Sequence, residues 1–217
     1  MLHKPSAVLF DWDNTLVDTW PVIHAALTET LEAMGHAPWS LEKVKRDVKR
    51  SMRESFPELF GARWEEAAEI YQNAYRARHL EALQPLPQAK EVVERLQHSG
   101  IPLAVVSNKR SVSLRKEVPH LGWAKYFGAT IGADDAARDK PSPDPALLAL
   151  SQLGVPASAD VWFVGDTVVD IQCAHAIGAQ PVLYGPHALD DATFEGEAIA
   201  AHVLDHADFL ALLKRIF

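Results

Sequence analysis

The chain alternates between short apolar runs and longer stretches in which apolar residues recur every three or four positions. Four runs, Ala7–Phe10, Ile101–Val106, Val161–Val164 and Pro181–Tyr184, are almost continuously hydrophobic and stop at Asp, Ser or Gly. A weaker run lies at Ala129–Gly132. Short apolar runs without alternation predict strands covered on both faces, the habit of parallel sheets. Helical spacing separates them. Pro87–Ser99 puts Val92, Val93 and Leu96 on one face and stops at Gly100. Pro143–Leu153 carries Leu147, Leu148, Leu150 and Leu153 and stops at Gly154, and Val168–Ile177 stops at Gly178. Glycine at such positions suits the left-handed residue that follows many helices. Ala207–Phe217 predicts a closing helix through Phe209, Leu210, Leu213 and Phe217. This strand–helix alternation predicts an α/β fold with a Rossmann-like, doubly wound parallel sheet.

One stretch breaks the alternation. From Val17 to Leu83 only helical periodicity is visible. Pro21–Met34 carries Ile23, Leu27, Leu31 and Met34; Leu41–Met52 carries Leu41, Val44, Val48 and Met52; Ala62–Leu83 carries Trp64, Ala67, Ala68, Tyr71 and Tyr75. A structureless loop of that length is implausible inside a compact domain. The pattern therefore predicts an inserted all-helical domain over 17–84 and an α/β core from 1–16 and 85–217. On the second of these helices Arg46, Lys49, Arg50 and Arg53 recur at i, i+3, i+4 and i+7, opposite Val44, Val48 and Met52. Such a stripe fits a solvated helix face. It equally fits a basic surface where Arg50 or Arg53 selects an anionic group on a ligand.

Composition narrows the function. The 217 residues include 21 Lys and Arg against 29 Asp and Glu, a formal charge of −8. An acidic chain is a poor match for nucleic acid, whose phosphates need a basic footprint. A hydrophobic share of 48% and a charged share of 23% are those of a globular protein. Cys173 is the single cysteine, which excludes an intrachain disulfide and fits a reducing compartment. Within its predicted helix it reads as a core residue. Met1–Phe10 has one early Lys and a short apolar run, unlike a secretory signal. No segment approaches the roughly 18 apolar residues of a membrane span. The expectation is a cytoplasmic protein with neither a membrane nor a nucleic-acid partner.

Candidate chemistry gathers at strand ends. Asp11-Trp12-Asp13-Asn14-Thr15 follows the first strand, Ser107-Asn108 the second, and Gly165-Asp166 the Val161–Val164 strand, with Asp170 four residues on. Lys140-Pro141 precedes the helix at 143–153. Each part has an ordinary reading: an acidic turn, a helix N-cap, a solvated lysine, an acid favoured by a helix dipole. Their conjunction does not. The C-terminal edge of an open α/β sheet is where ligands bind, and one edge would present all of these side chains. Two unit charges about 4 Å apart interact by roughly 4 kcal/mol at an effective dielectric near 20. Lys140 offsets one carboxylate only. A divalent cation with oxygen ligands resolves the remainder, and Mg²⁺ suits so few carboxylates.

The motifs Phe10-Asp11-Trp12-Asp13-Asn14-Thr15-Leu16-Val17, the Ser107 strand end, Lys140-Pro141 and Gly165-Asp166-x-x-x-Asp170 resemble, in order, the four motifs of the haloacid dehalogenase superfamily of hydrolases. The helical insertion after the first motif is similar to that superfamily's C1 cap, as in phosphoglycolate phosphatase-like members. Asn14 stands where the usual motif has Gly, and Asn also tolerates left-handed backbone angles. The resemblance implies a phosphatase for a small phosphorylated metabolite, with Asp11 as nucleophile forming an aspartyl-phosphate. It implies that Asp13 protonates the leaving alcohol and then deprotonates water; the dehalogenases of the family lack this acid. Mg²⁺ would be held by Asp11, the Asp13 backbone carbonyl and Asp166, with Asp170 orienting these ligands from outside. Ser107, Thr15 and the backbone N–H groups of Asn14 and Asn108 would bind the phosphoryl group, and Lys140 would neutralise its charge. Trp12 would pack beside the site or under the cap. A phosphomutase of the same superfamily, a phospho-signalling receiver module and a catalytically silent scaffold are the alternatives. The receiver would need its phosphoacceptor after the third strand, and the intact acids speak against the scaffold.

Overall fold

The computed structural model describes residues 2–48, 50–187 and 192–217. In chain order the elements are β1 (Ala7–Phe10), β2 (Val17–Asp18), α1 (Trp20–Ala33), α2 (Leu41–Asp47), α3 (Met52–Phe60), α4 (Trp64–Arg76), α5 (His79–Ala82) and β3 (Gln84–Pro85). There follow α6 (Ala89–His98), β4 (Leu103–Arg110), α7 (Ser111–His120), β5 (Ala129–Ala133), α8 (Asp144–Leu153), β6 (Val161–Gly165), α9 (Val168–Ala176), β7 (Gln180–Tyr184), β8 (Ala201–Val203) and α10 (His206–Ile216). The chain divides into two compact units, one of 1–17 and 85–217, the other of 18–84. The fold is an α/β core with an inserted helical domain. No helix among the described residues is long and apolar enough to cross a membrane.

The first unit holds a six-stranded sheet in the order β5-β4-β1-β6-β7-β8. All its paired strands are parallel. The apolar runs form its centre because each residue faces a layer of helices and none faces water. Ala7 and Leu9 of β1 pack with Val161 and Phe163 of β6 against Ala146, Ala149 and Leu150 of α8 and Cys173 and Ala174 of α9. On the opposite face Phe10 meets Phe209 of α10, ring centroids 6.2 Å apart. Cys173 is thus a core residue, as its pattern predicts.

The two-residue strands β2 and β3 and the elements β8, α3 and α7 are not among those the spacing predicts. β8 is three residues long at the sheet edge. α3 carries Met52, Phe56, Leu59 and Phe60 at helical spacing, whereas α7 carries little apolar signal. The buried positions of α7 are Ser111, Ser113, Leu114, Glu117 and Val118, so its inward face is largely polar. β4 also runs on past Val106 to Arg110, with a register shift between those residues.

The second unit has its own apolar centre, built from Val22, Ile23, Leu27 and Leu31 of α1, Val44, Phe56, Phe60 and the α4 residues Ala67, Ala68 and Tyr75. The rings of Phe56 and Phe60 meet edge to face at 5.1 Å. Here two expectations are corrected: the helical run over Ala62–Leu83 breaks at Ala77 and Arg78 into α4 and α5, and the run before it divides as well. The predicted helix over Leu41–Met52 is two helices, because Val48 leaves helical geometry at φ −90° and ψ 88° and Ser51 is extended. Ser competes for backbone hydrogen bonds and favours N-cap positions over helix interiors. The basic stripe therefore does not lie on one helix. Arg46 on α2 pairs with Asp47 at 2.7 Å, Arg50 lies between the helices and donates to Glu58 at 3.0 Å, and Arg53 is on α3. Lys49 lies outside the described residues.

A buried histidine gives the core unit a pH dependence. His206 opens α10 and is 1% exposed, with Nδ1 3.0 Å from the Tyr184 hydroxyl. Burial pushes its pKa down from 6.5 to about 4. The native state thus excludes a proton that the unfolded chain accepts. The stability contribution is complete above about pH 6.5 and is lost as pH falls toward 4, by about 2 kcal/mol at pH 4.5. Urea titrations at pH 7 and pH 4.5 should show this loss, and His206→Gln should shrink it. Equal losses in both proteins would remove His206 from the account.

Candidate active site

β1 lies between β4 and β6, and the strand order reverses there, the place where open α/β sheets form a binding crevice. The C-terminal ends of β1 and β6 bring Asp11 and Asp166 to one edge, and Ser107 joins them from inside β4, two residues past the Val105 that pairs with Phe10. The Asp11 N–H donates to the Val164 carbonyl at 2.8 Å, so the first acid is locked to the adjoining strand. The chain then turns back: Leu16 and Val17 donate to the Trp12 carbonyl at 3.0 and 3.2 Å, and Asn14 donates to Val17 at 2.7 Å. Asn14 has φ +59°, which explains why Asn or Gly is wanted there. Its N–H, assigned by resemblance to a phosphoryl oxygen, is used by this turn.

Lys140 is 2% exposed and bridges two acids, with Nζ 2.8 Å from Asp11 Oδ1 and 2.7 Å from Asp170 Oδ1. Burial opposes its charge, but Asp11 and Asp170 outweigh burial and raise its pKa. The Asn108 side chain holds this lysine by the backbone. Asn108 Nδ2 donates to the Lys140 carbonyl and the Lys140 N–H donates to Asn108 Oδ1, both at 2.9 Å. Asn108 is thus a clamp on the lysine loop. Ser107 is 3% exposed, and its hydroxyl accepts the Lys109 N–H at 3.2 Å.

Asp170 is 1% exposed and well engaged. Its Oδ2 accepts from the Thr167 N–H at 3.0 Å and the Thr167 hydroxyl at 2.7 Å, while Oδ1 holds Lys140. Gly165 makes this possible, because a Cβ there would overlap the Asp170 carboxyl group. Gly165→Ala must displace Asp170 and, through it, Lys140. We expect Gly165→Ala to cut turnover by roughly a hundredfold, as small misplacements of reacting groups do. Gly178→Ala at the end of α9 serves as the control. Steady-state kinetics decide; wild-type turnover in Gly165→Ala would show that Asp170 need not hold its place.

Carboxylate oxygens of Asp11, Asp166 and Asp170 lie within 4.8 Å of one another. Burial, reinforced by Asp170 and Asp13 and opposed by Lys140, pushes the Asp11 pKa up to about 6. Burial, with Asp11 and Asp170, raises that of Asp166 well above the ordinary value. Such crowding of hard oxygen ligands fits a divalent cation of the Mg²⁺ type. Since Lys140 and Thr167 already engage Asp170, Asp11 and Asp166 are the better placed ligands. Thr15, assigned to phosphate by resemblance, donates its hydroxyl to Asp166 Oδ1 at 3.3 Å.

A second group of charged residues at this edge is silent in the sequence. Lys109 Nζ lies 2.5 Å from Asp13 Oδ1 and 2.6 Å from Glu117 Oε2. The same Glu117 oxygen accepts the Trp12 indole N–H at 2.7 Å. Trp12 is fully buried against Trp123, ring centroids 5.8 Å apart and nearly perpendicular. It therefore belongs to the core unit beside the site. Lys109 directly follows Ser107-Asn108, but beside Arg110 it reads as a solvated charge. Glu117 follows Arg115-Lys116 and reads as one more surface acid.

The chain matches the family model of the haloacid dehalogenase-like hydrolases over residues 8–183. It is 30% identical over 214 residues to a phosphoglycolate phosphatase of Xylella fastidiosa, covering 94% of this chain and 93% of that protein. It is 35% identical over 182 residues to a phosphoglycolate phosphatase of Pectobacterium atrosepticum, covering 80% of this chain and 77% of the relative. Among solved structures, a haloacid dehalogenase superfamily hydrolase from Ehrlichia chaffeensis superposes with a TM-score of 0.69 at 30% identity, covering 100% of this chain and 99% of its own. With an acid-and-lysine cluster at the β1 edge, a helical insertion after the first strand and relatives matched along most of their length, this chain belongs to the haloacid dehalogenase-like hydrolase family.

Proposed function

We propose that this hydrolase is a Mg²⁺-dependent phosphatase that cleaves a small phosphomonoester, such as phosphoglycolate, through an aspartyl-phosphate on Asp11. The supporting observation is the buried Asp11 carboxylate at the end of β1, tethered by Lys140 and flanked by Asp166. A carboxylate held in place is a ready nucleophile. The names of the relatives supply the substrate class.

In this reading an Asp11 carboxylate oxygen bonds to phosphorus while the ester P–O bond breaks, and the departing alkoxide takes a proton from Asp13. Water then attacks phosphorus of the aspartyl-phosphate and yields a proton to Asp13, which releases inorganic phosphate and restores Asp11. Lys140 offsets charge on Asp11 and the phosphoryl group throughout. Asp11, Asp166 and the Asp13 backbone carbonyl would hold the cation, which supplies charge neutralisation at the phosphoryl oxygens. The inserted helical domain is assigned the role of a cap that excludes water and sets specificity, with Arg50 and Arg53 as its candidate anion-binding residues.

A phosphate-release panel tests the proposal. The protein with Mg²⁺ should release phosphate from p-nitrophenyl phosphate and from alkyl phosphates including phosphoglycolate. EDTA should abolish release and added Mg²⁺ restore it. No release from any member of the panel would sink the assignment.

A further inference from the structure

The buried Lys109–Glu117 pair makes and breaks no bond in the phosphoryl transfer, and its energetics ask for a role. Lys109 has a side chain 5% exposed and that of Glu117 is fully buried. The Lys109 ammonium lies between two carboxylates, 2.5 Å from Asp13 Oδ1 and 2.6 Å from Glu117 Oε2. Buried ion pairs are poor devices for stability alone, since desolvation consumes much of what their attraction returns. They do impose geometry. Here one Glu117 oxygen receives both the Trp12 indole and the Lys109 ammonium, and that ammonium also reaches Asp13.

Trp12 is fully buried in the core, with Asp11 and Asp13 on either side of it in the chain. Glu117 on α7 grips the loop through the Trp12 side chain and, by way of Lys109, through Asp13. The backbone behind Lys109 is tightly packed as well. A Cβ on Gly132 of β5 would lie 2.8 Å from the Lys109 carbonyl and 2.6 Å from Ser111 Cα. The Asp13 side chain, 20% exposed, is the one member of the network at the open edge.

We propose that Lys109, anchored by Glu117 and Trp12, is a positioning residue that sets where the Asp13 carboxyl group points during phosphoryl transfer. This inference rests on the phosphatase reading. In the first step the Asp11–phosphorus bond forms, the ester P–O bond breaks, and the Asp13 proton passes to the leaving oxygen. A displaced Asp13 fails at that proton transfer and nowhere else in the step. The buried glutamate on the inward face of α7 then has a role, as the anchor.

The test exploits the leaving group. An alkoxide needs the proton; p-nitrophenolate leaves without one. Lys109→Met should lower kcat/KM for the alkyl phosphate that wild type turns over best by about ten- to a hundredfold, within the range of general acid catalysis. The same variant should change kcat/KM for p-nitrophenyl phosphate by less than about threefold, a split typical of losing only proton delivery. Lys109→Arg should recover most of the loss on the alkyl substrate. Should the unpaired Glu117 prevent folding, the double variant Lys109→Met with Glu117→Gln keeps the buried charges balanced and should show the same split. Equal losses on both substrates in a folded variant, or no loss on either, would overturn the positioning role while leaving the phosphatase reading intact. Wild-type protein inactive on both substrates would instead overturn the phosphatase reading, and the inference with it.

Discussion

Asp11→Asn should abolish phosphate release while the protein stays folded and melts at a higher temperature than wild type in EDTA. Asparagine keeps the size of the side chain and an oxygen for Lys140, but amide oxygen is a poor nucleophile. Loss of a covalent nucleophile costs on the order of 10⁴- to 10⁶-fold in turnover. The gain in stability follows from the pKa. Asp11 is raised to about 6 in the folded state, above its ordinary 3.8. The fold therefore holds a proton there that the unfolded chain releases, and stability from this group declines as pH rises through that window. At pH 7 the ionised carboxylate is a burden that the neutral amide removes. Mg²⁺ should relieve the same burden in wild type, so the melting-temperature increase on adding Mg²⁺ should be smaller in Asp11→Asn. Turnover in Asp11→Asn within tenfold of wild type would refute the nucleophile. An unchanged or lower melting temperature in EDTA would refute the electrostatic account of the pocket.

Lys140→Met should lose both activity and stability. The ammonium lies between two buried carboxylates at 2.8 and 2.7 Å, and methionine offers neither charge nor donor. Removing one partner of a buried ion pair costs about 3–5 kcal/mol. The lower end is expected here, because Asp11 already titrates near 6 and can take up a proton once its partner is gone. Urea unfolding at pH 7 should show a loss of about 3 kcal/mol, and lowering the pH should narrow the gap to wild type. Turnover should fall by about a thousandfold, since the charge on Asp11 and the transferring phosphoryl group is then opposed by the divalent cation alone. A variant as stable as wild type would show that the two acids do not need this cation in the folded state.

The two substitutions separate what the pocket asks of its members. Asp11 is costly to the fold and is kept for chemistry. Lys140 serves both, because the cation that steadies the nucleophile also makes the crowd of acids tolerable. The Asn108 clamp and the Gly165 contact extend this logic outward. One fixes the backbone of Lys140, and the other lets Asp170 come close enough to hold its ammonium.

Much of the site could be read along the chain. The apolar runs at Ala7–Phe10 and Val161–Val164 coincide with β1 and most of β6, and the acids that follow them stand at one sheet edge. Asn14 adopts the left-handed angle that its place in the motif anticipates. The predicted second helix of the insertion is two helices, because hydrophobic spacing runs through Val44, Val48 and Met52 without registering the break before Ser51. Periodicity records which residues face inward and is blind to a turn that keeps them inward.

What the sequence determined by itself is local. Strand runs, helix faces and the residue types at strand ends follow from a few neighbouring positions and the periods of the backbone. Tertiary structure alone decided the partners. Lys140 meets Asp11 across 129 positions, Trp12 meets Glu117 across 105, and Lys109 meets Asp13 across 96. These pairings depend on β4 and β6 flanking β1 and on α7 turning a polar face inward. A buried Glu or Lys looks the same in sequence as an exposed one, since burial of charge is permitted by a distant partner and not by its neighbours in the chain.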